Sequence, residues 1–259
     1  MDKLQKKLQE IKNRKRIGLM THVVIGYPSL DETIKIVKTM ADCCVDFVEL
    51  QVPFSDPLAD GPTIMKACEK SLENGFKVKD AFTVMKSLSS EINIPLLFMA
   101  YYNTVFKYGT RQFCKDAKKA GASGIIVPDV PIEEESKEHF IQYCKEYDLA
   151  NIRIVSPSST TERLKKNAQV GSGFVYATAL QGITGAREDL NTKLSYLETV
   201  RKYFSIPIAV GFGISKKEHL KTLTNYADIA IIGSAIIKII NESTKKNMLP
   251  NIRNFLRMI

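Results

Sequence analysis

The fold turns on one stretch: Asp46-Phe47-Val48-Glu49-Leu50-Gln51-Val52-Pro53-Phe54-Ser55-Asp56-Pro57-Leu58-Ala59-Asp60-Gly61-Pro62. Asp46 to Val52 is a short apolar run that reads as a strand buried on both faces, as in a parallel sheet. Proline- and glycine-rich turn signals end it. Glu49 interrupts the run, and Asp60 follows eleven residues later on the loop. A buried carboxylate costs free energy unless it is protonated or paired, and acid–base chemistry is a common reason to keep one.

Seven more runs of this kind flank it. The strand candidates are Leu19–Ile25, Asp46–Val52, Ile94–Ala100, Gly124–Val127, Ile152–Ser156, Gly173–Ala177, Ile206–Val210 and Ile229–Ile232. Helical patterns separate them, among them Asp31–Cys43, Thr63–Asn74, Arg111–Ala120, Ile132–Glu146, Lys193–Tyr203 and Lys216–Asn225. In the first of these, Ile34, Val37 and Ala41 make one face. Extra helices are expected at Met1–Arg14, between Val78 and Ser89, and near the C-terminus. Eight strand–helix units without a linker predict one α/β domain over residues 1–259, a (β/α)8 TIM barrel with extra N-terminal and peripheral helices, rather than an open doubly wound sheet.

Such barrels carry their chemistry at the C-terminal ends of the strands, and the polar motifs fall there. Tyr101-Tyr102-Asn103 follows the third strand, Pro128-Asp129-Val130-Pro131 the fourth and Gln181-Gly182-Ile183-Thr184-Gly185 the sixth. Gly211-Phe212-Gly213 and Gly233-Ser234 end the seventh and eighth, the two loops that often bind phosphate in this architecture. Glycine admits an anion close to the backbone, and helix-starting N–H groups hold its oxygens. Ser234 can add a hydroxyl and cap the helix that follows. Gln181 to Arg187, with Gly182 and Gly185, suits a lid that excludes water.

Composition narrows the function. The 259 residues are 44% hydrophobic and 25% charged, which suits a soluble globular core. No apolar stretch reaches membrane-span length, and the charged Met1–Arg16 has no signal-peptide core, so a cytoplasmic location is expected. The odd count of five cysteines and three scattered histidines favour reduced thiols and no metal triad. Net charge is +9. Much of the excess lies between Lys3 and Arg16, on a segment whose Leu4, Leu8 and Ile11 predict an amphipathic helix with a solvated basic face. The aromatic stacking platforms of single-strand binders are not evident, so nucleic-acid binding is not expected.

Val52 to Pro62 closely resembles the signature of the tryptophan synthase α subunit family. Gly26 and Pro28, Tyr102-Asn103, Val127-Pro128-Asp129-Val130-Pro131, Gly182-Ile183-Thr184-Gly185-Ala186, Gly211-Phe212-Gly213-Ile214-Ser215 and Gly233-Ser234-Ala235-Ile236 extend the likeness over most of the chain. The resemblance implies an aldolase-type lyase that cleaves indole-3-glycerol phosphate to indole and glyceraldehyde 3-phosphate. It implies no cofactor in this chain and a pyridoxal-phosphate-dependent β subunit as partner, in an α–β–β–α heterotetramer. By matching position it makes Glu49 the acid/base at indole C3 and Asp60 the holder of indole N1–H. It places Tyr176 near the substrate and Thr184 on the closing loop. Gly185, Gly213, Gly233 and Ser234 become phosphate binders, and Phe212 and Met99 indole contacts with Tyr101 nearby. Asp56, Pro57 and Pro131 fall on segments facing the β subunit.

The chain departs from that pattern at four places. His22 replaces an apolar or aromatic wall residue of the indole pocket, Gln51 stands for Gly, Met65 for Gln and Ala179 for Ser. Gln51 lies two residues from Glu49 on one strand face, so it is expected to hydrogen-bond Glu49 or crowd the substrate. These changes leave open a catalytically weak subunit that mainly activates its partner. A stand-alone lyase releasing free indole is a further alternative.

Overall fold

The computed structural model describes residues 2–178, 187–211, 214 and 217–259, with the side chains of 187–193 outside that description. Its strands are β1 (Gly18–Val24), β2 (Phe47–Gln51), β3 (Leu96–Met99), β4 (Gly124–Ile126), β5 (Ala150–Val155), β6 (Val175–Thr178), β7 (Ile208–Gly211) and β8 (Ile229–Ile232). They pair in parallel, each with the next, and β1 closes on β8 to complete the predicted barrel.

Thirteen α-helices occur among the described residues. The first six are α1 (Lys3–Arg14), α2 (Leu30–Ala41), α3 (Pro62–Glu73), α4 (Val78–Glu91), α5 (Tyr102–Tyr108) and α6 (Thr110–Lys119). Next come α7 (Glu135–Glu138), α8 (Phe140–Glu146), α9 (Thr161–Val170) and α10 (Arg187–Tyr203). The last are α11 (Lys217–Leu223), α12 (Ser234–Glu242) and α13 (Met248–Met258).

Strand alternation divides the core in two. Inward residues, among them Met20, Phe47, Leu97, Ile152, Phe174, Ala209 and Ile229, fill the barrel. Their neighbours, such as Val48, Leu50, Phe98, Val175, Val210 and Ala230, pack outward in the larger cluster under the helices. The α1 stripe of Leu4, Leu8 and Ile11 joins the inner cluster. A side chain at Gly18, where β1 begins, would come within 2.6 Å of Ile11, and one at Gly173, just before β6, within 2.9 Å of Leu4. The N-terminal helix therefore seals the N-terminal end of the barrel. Asp46 fastens that seal, accepting from Leu19 N–H at 2.9 Å and from both terminal nitrogens of Arg16 at 2.7 and 2.5 Å.

Two helical readings need correction. The buried face of α2 is Thr33, Ile36, Val37 and Met40, with Ile34 and Ala41 only half-buried. Ile132–Glu146 is not one helix but a 3-10 turn at Ile132–Glu134 followed by α7 and α8. His139 takes a left-handed φ of 53° between them, and the Glu135 carboxylate accepts from Ile141 and Gln142 N–H at 2.8 Å each, capping α8 from outside it. The Tyr102-Asn103 motif starts α5, where Asp129 of the β4 loop accepts from Tyr102 N–H at 2.7 Å.

Candidate active site

A cavity of about 900 Å³ opens at the C-terminal end of the barrel. Glu49 and His22 stand on its floor, side by side on β2 and β1 in register. His22 is 4% and Glu49 2% exposed, so both act outside bulk water. His22 Nδ1 lies 3.4 Å from Glu49 Oε2. Neither Glu49 Oε2 nor His22 Nε2 has a hydrogen-bond partner in the protein. Burial works against a charge on the imidazole, but Glu49, then Asp60 and Gln51, outweigh it, and the His22 pKa is raised above the ordinary histidine value.

Asp60 reaches the cavity from the loop after β2. Its Oδ2 accepts from Gln51 Nε2 at 2.6 Å and from Tyr101 OH at 3.0 Å, and neither donor uses Oδ1. Tyr101 also accepts from Ala59 N–H at 3.0 Å and stacks on Phe54. The loop is thus pinned on both sides of its carboxylate. Burial raises the Asp60 pKa, while His22, Gln51 and Tyr101 pull it back down. Gln51, expected beside Glu49 or the substrate, turns instead to Asp60 and is not among the cavity walls.

Met99, Ile126, Ile154 and Ile231 make an apolar wall. Tyr176 faces the same space, its pKa held well above the ordinary phenol value by burial and by Glu49 and Asp60, so it is neutral there. Gly211, Gly233 and Ser234 line the side formed by β7 and β8. The N-cap of α12 is Gly233, and Ser234 is the first helical residue, so the serine hydroxyl is not the cap expected of it. The first N–H groups of α12 have no intrahelical acceptor and suit an anion. Gln181, Gly182, Thr184, Gly185, Phe212, Gly213 and Ala179 lie outside the described residues.

Arg153, Ser156, Ser159, Arg163 and Asn167 also line the cavity and were not singled out from sequence. The signal for Arg153 was available, a charged residue inside an apolar strand run. The Arg153 Nε donates to Asn167 at 2.7 Å, and Nη2 to the Val130 carbonyl at 3.2 Å, which ties β5 to α9 and to the β4 loop.

The tryptophan synthase alpha chain family model matches residues 8–256. The chain belongs to that family. It is 43% identical to the tryptophan synthase alpha chain of Desulfotalea psychrophila, over 95% of this chain and 97% of that one. Identity to the alpha chain of Methanocaldococcus jannaschii is also 43%, over 95% and 87%. Among solved structures, the alpha subunit from Legionella pneumophila superposes with a TM-score of 0.91 at 26% identity, over 100% of this chain and 97% of that one. Tryptophan synthase from M. tuberculosis gives 0.89 at 28%, over 100% and 97%. The chain accordingly has the alpha-subunit function in tryptophan biosynthesis, the lyase activity of the alpha reaction. Among the described residues no helix is long and apolar enough to cross a membrane.

Proposed function

We propose that this cavity cleaves indole-3-glycerol phosphate with Glu49 as the proton carrier and Asp60 as the holder of the indole ring. Glu49 gives a proton to ring carbon C3. The hydroxyl on the attached carbon loses its proton as the carbon–carbon bond breaks, and indole and glyceraldehyde 3-phosphate result. Asp60 accepts the indole N1–H and offsets the positive charge that C3 protonation puts on the ring. The phosphate sits against Gly233, Ser234 and the α12 N-terminus, with Gly185 and Gly213 from the adjoining loops, and supplies binding energy remote from the bond broken. Met99, Tyr176 and Phe212 enclose the ring, and Thr184 closes over it.

The observation that supports this reading most is the unlike treatment of two carboxylates in one cavity. Asp60 is gripped by two donors on one oxygen, which suits a fixed acceptor. Glu49 has an imidazole beside it and no hydrogen bond on Oε2, which suits a group that must gain and lose a proton. The chain itself carries no cofactor in this reading, acts in the cytoplasm, and docks through Asp56, Pro57 and Pro131 on a pyridoxal-phosphate-dependent β subunit as an α–β–β–α assembly. Leu58, 90% exposed beside Pro57, fits a surface that a partner covers. The test is glyceraldehyde 3-phosphate formation by the purified chain, alone and with a β subunit. Slow cleavage that rises strongly with the partner is expected. High activity alone would mean an independent indole producer, and none in either case, with substrate bound, a regulatory subunit.

A further inference from the structure

We propose that His22 and Glu49 work as one proton-sharing dyad, with His22 a positioning residue that keeps a single proton available to Glu49 in the closed site. This rests on the reading of Glu49 as the proton carrier.

The geometry is specific. The two side chains come from paired positions of β1 and β2, so the rigid barrel fixes their separation, 3.4 Å from Nδ1 to Oε2. Each is almost wholly buried at the floor of the cavity, so the charge of either is felt strongly by the other. His22 Nε2 is buried without a hydrogen-bond partner, and among the described residues Glu49 is the one acidic group within ion-pair distance of the ring. A Cβ at Gly233 would lie 3.5 Å from the His22 Cβ, so the His22 side chain starts beside the loop proposed to hold the phosphate.

The groups facing the pair are few. Gln51 comes from the same strand as Glu49, Asp60 from the next loop and Tyr176 from β6, while the end of β8 and the start of α12 contribute Ile231, Gly233 and Ser234, none of them titratable. Asp60 adds attraction for a proton on His22, and Tyr176 stays neutral.

The proton count closes over a turnover. The resting pair holds one proton, as imidazolium and carboxylate. With substrate bound, the 3.4 Å gap closes to a hydrogen bond, and that proton passes from Nδ1 to Glu49 and on to ring C3, leaving imidazole and carboxylate. When the carbon–carbon bond breaks, the hydroxyl proton goes to Glu49 and the pair is restored. Cleavage therefore needs the singly protonated pair and fails once it is lost. Because the His22 pKa is raised, the alkaline fall of kcat/KM lies above the ordinary histidine range, about 6.5.

The experiment measures kcat/KM for indole-3-glycerol phosphate from pH 5 to 9 in the wild type, His22→Gln and Glu49→Gln. In His22→Gln the alkaline fall should move down by about one pH unit, with roughly tenfold lost at pH 8 and KM little changed. In parallel, an NMR titration of the His22 ring should show its pKa falling by about one unit in Glu49→Gln. An inactive Glu49→Gln with an unmoved His22→Gln profile, or a His22 titration indifferent to Glu49→Gln, overturns the dyad alone. Wild-type cleavage by Glu49→Gln overturns the role of Glu49 and the dyad with it.

Discussion

In its proposed role Asp60 is ionised and accepts the indole N–H, yet burial favours its protonated form. Gln51 and Tyr101 offset that by donating to Oδ2. Gln51→Met and Tyr101→Phe each remove one donor at nearly constant volume, so the Asp60 pKa should rise. The acid limb of kcat/KM then moves to higher pH, by about one unit per donor, since a hydrogen bond to a charged group is worth about 1.5 kcal/mol. A pH–rate profile unchanged in both variants would sink this role for the pair. Asp60→Asn keeps the shape and loses the charge, and turnover should drop by about a hundredfold or more, as for loss of a transition-state electrostatic contact. Glu49→Gln should abolish cleavage while substrate binding stays within about tenfold, read by calorimetry.

At the scale of elements, the site depends on parts far from it. α1 seals the far end of the barrel through Leu4, which is fully buried. Leu4→Ala should lower stability by about 2–5 kcal/mol in urea unfolding, from lost burial plus the cavity left behind. Activity below the new midpoint should remain near normal, because the proposed catalytic residues occupy the other end. Among the described residues, Glu135 supplies the side-chain hydrogen bonds to the α8 N-terminus at its break from α7. Glu135→Ala leaves two N–H groups without that acceptor beside a left-handed His139, and should cost about 1–2 kcal/mol. A change too small to resolve would mean that water replaces the carboxylate fully.

Over the whole molecule, the net charge of +9 invites the idea of steering an anionic substrate. The placement of α1 argues otherwise. Its basic face lies at the closed end, and β1 alone spans roughly 20 Å toward the mouth, beyond the Debye length of about 8 Å at physiological salt. Neutralising Lys3, Lys6 and Lys12 should therefore leave KM within about twofold at that ionic strength. A fivefold rise would show that long-range attraction from α1 does contribute to capture.

The barrel itself was legible because its signals are local and repeated. Apolar runs of strand length, helical periods between them, and turn residues after each strand specify eight units, and parallel strands buried on both faces need helices around them. Glu49, Asp60 and the glycines of the last two loops stood out for the same reason, as residues that their local setting does not explain. What sequence could not supply is anything decided by contact between distant segments. Nothing around Tyr102 announces a helix capped by Asp129, and nothing in Ile132–Glu146 fixes the bend that the Glu135 carboxylate stabilises. Gln51 shares a strand face with Glu49, yet its amide donates to Asp60, on a loop that Tyr101 holds against the barrel end. His22 and Glu49 are 27 residues apart in the chain and 3.4 Å apart in space. Sequence determined which side chains are able to carry the proposed chemistry, since residue type sets what each can donate or accept. Only the register of β1 against β2 decided which of them touch, because side-chain contacts follow from strand pairing and not from spacing along the chain.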